Sequence, residues 1–160
     1  MTLDVLSTKG QQSVNDEQTA VALFRSKFTN YQYVETPKNM PADVDAILML
    51  DNQLRQVIET KCRYDCDMSK FRNEYKSQWL VTWKKIEKAK NIAKQLCIGL
   101  TGFLYIVPSK TLLVQRITDE TGRLLVSMKL ETTTTQATIN GGSARRTNAF
   151  IDMTRATVIA

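Results

Sequence analysis

The chain has 160 residues with 42% hydrophobic content, room for one compact domain and not comfortably for two. Its 22 Lys and Arg against 16 Asp and Glu leave a net charge of +6, which suits a polyanionic partner such as nucleic acid. It contains no histidine, which excludes Ser-His-Asp and Cys-His triads, His-ligated zinc hydrolases and histidine-based nucleases. Catalysis would have to run on carboxylates, lysine, tyrosine or a bound metal. Cys62, Cys66 and Cys97, an odd and low count, read as free thiols in a reducing cytoplasm. No run approaches the roughly 18 apolar residues of a membrane helix, and the N-terminus lacks the charged-then-apolar pattern of a secretory leader.

Residues 1–12 are polar and aperiodic and read as a flexible tail. From the N-cap Ser13 a helix is predicted to about Phe28, with Ala20, Val21, Phe24 and Phe28 on its apolar stripe and Glu17 on that same stripe. A carboxylate there either snorkels out at the helix end or has a buried partner. Tyr31–Glu35, Val44–Leu50 and Leu54–Lys61 follow as strands of an antiparallel meander, with Asp51 and Asn52 in a turn. Over 68–97 a long helix is expected: Phe71, Tyr75, Trp79, Trp83, Ile86, Ala89, Ala93 and Leu96 recur every three or four residues, and Gly99 and Gly102 would end it.

Phe103–Val107 reads as a buried strand, and Leu112–Ile117 as its successor. Short β signals fill the rest: Leu124–Leu130, the threonine-rich Glu131–Ile139, a turn at Asn140-Gly141-Gly142, and a last apolar segment to Ala160. Arg145 and Arg146, beside the two glycines, read as a flexible basic corner suited to a backbone phosphate.

The stretch that carries chemistry runs from Asp45 to Lys61. In a tight hairpin, Asp45 at the start of one strand and Glu59 and Lys61 at the end of its partner share one end of the sheet. Strand alternation puts Glu59 and Lys61 on one face and Thr60 on the other. Hard oxygen ligands of this kind suit Mg²⁺ or Mn²⁺, held by one or two carboxylates plus a substrate phosphate. A nearby lysine can orient or deprotonate the attacking water. Asp43, on the same face as Asp45, competes for the ligand role. On the long helix, Gln78, Thr82 and Lys85 form a polar stripe beside Trp79, Trp83 and Ile86; Gln78 or Lys85 could contact phosphate or water. The surrounding Lys84, Lys88, Lys90 and Lys94 spread around the helix as a solubilising surface.

Through VDAILMLD and QVIETKCR, and through the order helix, strand, Asp-bearing strand, Glu-x-Lys strand, long helix, strand, the chain resembles the PD-(D/E)XK nuclease superfamily over Ser13–Val107, about 60% of its length. The resemblance implies an α/β fold with a restriction-endonuclease-like αβββαβ core: a mixed central sheet flanked by helices, here with a β-rich extension over 108–160. It also implies hydrolysis of DNA phosphodiesters with Mg²⁺ or Mn²⁺. Asp45 and Glu59 would be metal ligands, Lys61 the water-activating or phosphate-stabilising base, and Glu17 the glutamate that many members place in the site from the first helix. Val44 stands where many members have proline. Small stand-alone members are frequent in phages and mobile elements, which points to the host cytoplasm. A structure-selective or weakly sequence-selective endonuclease is expected, working as a homodimer where both strands are cut. The competing expectations are a non-catalytic nucleic-acid-binding or assembly protein on the same fold, and a ribonuclease.

Overall fold

Helix α1 runs over Thr8–Lys27 and buries Ala20 and Phe24, one turn apart on a single face. The computed structural model describes residues 8–36, 43–137 and 143–160, and of 135–137, 143 and 144 the backbone alone. α1 begins before Ser13, so residues 8–12 are helical rather than part of an aperiodic tail. Once Ala20 and Phe24 dock, Lys9, Gln11 and Gln12 extend the helix at little cost. Residues 1–7 lie outside the described residues, as does the expected Asn140-Gly141-Gly142 turn.

Strands β1 (Gln32–Glu35), β2 (Ala46–Leu50) and β3 (Gln53–Arg63) form the antiparallel meander. Asp51 and Asn52, with φ of 51° and 61°, make the two-residue turn whose left-handed residues match strand twist. β3 then pairs in parallel with β5 (Gly99–Ile106), Glu59 standing opposite Gly102. β6 (Thr111–Arg116) and β9 (Thr157–Ile159) complete a six-stranded mixed sheet of order β1-β2-β3-β5-β6-β9. All eight residues of β5 are buried, as an inner strand covered on both faces must be. One face packs Ile58, Phe103, Tyr105 and Leu112 beneath Ala20 and Phe24 of α1. The other packs Val57, Leu100, Leu104 and Leu113 against the crossover between β3 and β5.

That crossover is not the single helix expected over 68–97. It consists of α2 (Met68–Asn73), β4 (Gln78–Thr82) and α3 (Trp83–Gln95). Lys76 and Ser77 turn the chain with φ of 54° and 56°, a break made without glycine or proline. Trp79 and Val81 then alternate inward as a strand, the period that Gln78-Trp79-Leu80-Val81-Thr82 also satisfies. What selects strand is a partner distant in sequence: β4 pairs with β8 (Ser143–Asp152), which pairs with β7 (Met128–Ala137), giving a second sheet of order β4-β8-β7. α3 ends at Leu96, with Cys97 in the left-handed conformation (φ 57°), and Gly99 and Gly102 belong to β5. Of the segment expected as a strand over 124–130, β7 takes only the end, from Met128; Leu124 makes an isolated bridge to Thr118.

The second sheet and α3 are locked to the main sheet through Trp79, 1% exposed. Its indole lies on Gly102, where an added Cβ would overlap the ring carbon Cζ3 and crowd Ile117. Gly102 is there because the ring approaches the β5 backbone directly. Gly102→Ala is expected to lower unfolding free energy by roughly 1–3 kcal/mol in urea denaturation. Trp79→Phe in the same chain should recover part of that loss, a non-additivity that marks direct contact.

Candidate active site

β3 runs on past the point where β2 begins, and the strands part at Asp45. The main chain of Asp45 still continues the ladder, its N–H donating to the Ile58 carbonyl at 3.2 Å while its own carbonyl accepts from the Thr36 N–H at 3.0 Å. Its side chain then does what the next residue of a strand would have done. Oδ2 accepts the Thr60 backbone N–H at 2.8 Å. A buried amide on an inner strand requires such a partner, and the bond holds the carboxylate against β3.

Glu59, 2% exposed, lies on the α3 side of the sheet with Val57. It is within hydrogen-bonding reach of Asp45, and Lys85 from the first turn of α3 places Nζ 3.9 Å from Oε2. Burial pushes the Glu59 carboxyl up to about 9, the negative charge of Asp45 pushes in the same direction, and Lys85 opposes both. Glu59 therefore keeps its proton at neutral pH, within hydrogen-bonding reach of Asp45. The Lys61 ammonium, two residues on, is held below the ordinary lysine value by partial loss of solvation and then by repulsion from Lys85 and Arg63.

The remaining sequence candidates divide clearly. Asp43 is exposed and pairs with Lys88 at 3.7 Å, so Asp45 and not Asp43 meets Glu59. Glu17 sits half-buried on α1, across the sheet from α3. Its charge is the leading charge acting on Cys62 and the smallest contribution at Glu59. Gln78 is exposed on β4 rather than on a helix, so the stripe expected to join it to Lys85 does not exist. Arg145 and Arg146 lie within β8, not in a flexible corner. Trp79 is core, Trp83 is half-buried, and Tyr64 is exposed and donates to Asp16 at 2.7 Å. Tyr33 lies with Thr60 on the α1 side of the sheet, the face away from Glu59: its hydroxyl lies 3.5 Å from Thr60 Oγ1, and burial raises its pKa, so it stays a neutral hydroxyl. The alternation of Tyr31 and Tyr33 in YQYVE, leading into β1, was the available signal.

Among the described residues, no three His, Cys, Asp or Glu side chains converge closely enough to cage a metal ion. The acidic centre is the Asp45–Glu59 pair. Two carboxylates are nonetheless a sufficient protein share for a hard divalent ion that takes its remaining ligands from water and phosphate. An acid kept neutral by burial and then by a neighbouring carboxylate is also where a cation would replace a proton. No helix among the described residues is long and apolar enough to cross a membrane. Comparison with protein-family models, with curated proteins and with solved structures finds no match to this chain.

Because the folded-state pKa of Glu59 is raised, its contribution to stability is full below about pH 4.5 and is lost as pH rises toward 9. Without divalent ions, the melting temperature is expected to fall over that range, and Glu59→Gln should flatten the fall and melt several degrees higher at pH 8. Parallel pH profiles for the two proteins in differential scanning calorimetry would contradict a neutral Glu59.

Proposed function

We propose that this chain is a divalent-metal-dependent deoxyribonuclease of the PD-(D/E)XK type, hydrolysing DNA phosphodiesters with Mg²⁺ or Mn²⁺. The observation that carries the reading is the pairing of buried Glu59 with half-buried Asp45, bordered by Lys85 and Lys61 where β2 and β3 part. Supporting it is the order α1, β1, β2, β3, a crossover made of α2, β4 and α3, then β5, with β3 and β5 parallel and neighbouring; apart from α2 and the inserted strand β4, that order is in keeping with an αβββαβ core. The +6 net charge is in keeping with a polyanionic substrate.

Asp45 and Glu59 are the residues that would hold the ion, Asp45 already oriented by the Thr60 amide and Glu59 giving up its proton on binding. The ion would supply Lewis-acid stabilisation of the charge that builds on the phosphate oxygens. Lys61, whose ammonium gives up its proton more readily than an ordinary lysine, would orient the attacking water and, as the free amine, accept its proton. Lys85, with Nζ 3.9 Å from Glu59 Oε2, would be free to turn to a phosphate oxygen were an ion held by Asp45 and Glu59. Glu17 and Tyr33 would act from the α1 side of the sheet, by charge and by a neutral hydroxyl. Cutting both strands of a duplex calls for two such centres, which a homodimer would provide.

Nicking of supercoiled plasmid in Mn²⁺ or Mg²⁺ tests the reading. Glu59→Ala and Lys61→Ala should each cut the rate by roughly two orders of magnitude or more, with chelator abolishing what remains. Intact DNA under every metal tried, with DNA binding untouched by either substitution, would favour a non-catalytic nucleic-acid-binding protein. Offering RNA in parallel separates a ribonuclease.

A further inference from the structure

The second sheet tapers into a two-stranded ribbon. β4 covers β8 only between Asn148 and Asp152, whereas β7 stays paired with β8 from Met128–Ile151 out to Ala137–Ser143. Beyond Asn148 the β7–β8 hairpin therefore projects without a third strand among the described residues. Two side-chain bonds clip its base: Asn148 Nδ2 donates to Thr133 Oγ1 at 2.9 Å, and the hydroxyls of Thr132 and Thr147 meet at 3.2 Å.

Thr132, Thr133, Thr134, Arg145 and Arg146 are all exposed, and no apolar side chain interrupts them. Packing gives no reason for a strand pair so polar to extend from the body. Among the described residues neither arginine has an acidic partner; the nearest carboxylate along β7, Glu131, is paired with Lys129 at 3.0 Å. Two unopposed guanidiniums on a rigid frame call for an anionic occupant.

Strand alternation sends the two arginines to opposite faces of the ribbon. Arg146, opposite Thr133, shares its face with Asn148 and Phe150, and Phe150 stands beside Leu80 of β4. Leu80 in turn lines a cavity of about 320 Å³ together with Lys61 and Arg63. One face of the ribbon is thus continuous with the lysine end of the candidate active site. Arg145, opposite Thr134, belongs to the other face.

We propose that the β7–β8 ribbon enters the major groove of duplex DNA. The Arg146–Thr133–Asn148 face would meet the base edges, and Arg145 would reach round from the opposite face, the one that Ala149 and Ile151 carry into the core, to a phosphate at the groove rim. Two strands about 4.8 Å apart fit a B-form major groove about 12 Å wide, which admits a two-stranded ribbon. The deep, narrow major groove of A-form RNA does not. The substrate class is therefore B-form duplex DNA, in preference to double-stranded RNA or a single strand. This inference rests on the nucleic-acid reading above and names the substrate of that same site.

Fluorescence anisotropy with the Glu59→Gln chain in chelator, offering one sequence as duplex DNA, duplex RNA and single-stranded DNA, tests it apart from cleavage. Duplex DNA is expected to bind at least about tenfold more tightly than duplex RNA. Arg145→Ala/Arg146→Ala should remove that preference and reduce the slope of log affinity against log salt by one to two, at roughly 0.9 per phosphate contact. An unchanged melting temperature for the double variant would show that the fold is intact. Arg146→Lys, which keeps charge but loses the guanidinium fork, should retain the salt slope and lose part of the duplex preference. Equal affinity for duplex RNA, a double variant that binds like its parent, or no binding to any polymer would overturn the ribbon's assignment; the last would point to a protein partner instead. Ribbon-dependent duplex binding without cleavage in any metal upholds the ribbon and removes the hydrolase. Cleavage that ignores both arginines does the reverse.

Discussion

The hydrogen bond from the Thr60 amide to the Asp45 carboxylate is where the demands of the fold and of the site meet. β3 is an inner strand, paired on one side with β5 along Gln56–Arg63 and on the other with β2 only as far as Ile58. Past that residue its second edge would present a buried, unsatisfied N–H, a cost of order 1–3 kcal/mol. The carboxylate of Asp45 closes that edge and in doing so is held beside Glu59. Everything charged in the region follows: two acids packed together out of water cannot both ionise easily, so one retains a proton, and the cations of Lys85 and Lys61 are arranged around what is left.

Lys85 reaches Glu59 because α3 starts where it does. β4 runs into α3 without a loop, Thr82 ending the strand and Trp83 opening the helix. The height of that junction over the main sheet is set by Trp79 resting on Gly102, the residue opposite Glu59 in the parallel ladder. The same contact that fastens the second sheet is therefore made on the residue opposite Glu59. Packing and electrostatics are consequently coupled here: loosening the indole would both lower stability and let water in beside the carboxyl.

The C-terminal part of the chain is woven into this arrangement rather than appended to it. β6 and β9 finish the main sheet, while β7 and β8 build the second sheet around β4, a strand contributed from within the β3–β5 crossover. That interleaving brings the outer face of the second sheet alongside the end of β3, with Leu80 beside Lys61. A polar ribbon and a buried acid pair, far apart in sequence, thereby become neighbours on one surface.

Much of this was readable from local pattern. The α1 stripe, the meander, the Asp51-Asn52 turn and the sidedness of Glu59 and Lys61 depend on periods of 3.6 and 2 and on turn chemistry, all encoded within a few residues. The 68–97 segment was misread because Phe71, Tyr75, Trp79 and Trp83 satisfy a helical period while Trp79 and Val81 satisfy a strand's; only pairing with β8, some seventy residues later, decides between them. For the same reason Gln78 left the candidate helix, and Arg145 and Arg146 moved from a loop to a strand. The choice between Asp43 and Asp45, the neutral state of Glu59 and the arrival of Lys85 were likewise beyond the sequence, because each depends on which groups lose water and which charges then lie within a few ångströms. Sequence by itself determined the alternating frame and the residue types of the site; tertiary structure decided their protonation and their neighbours, because desolvation and cross-chain pairing exist only once the sheets have closed.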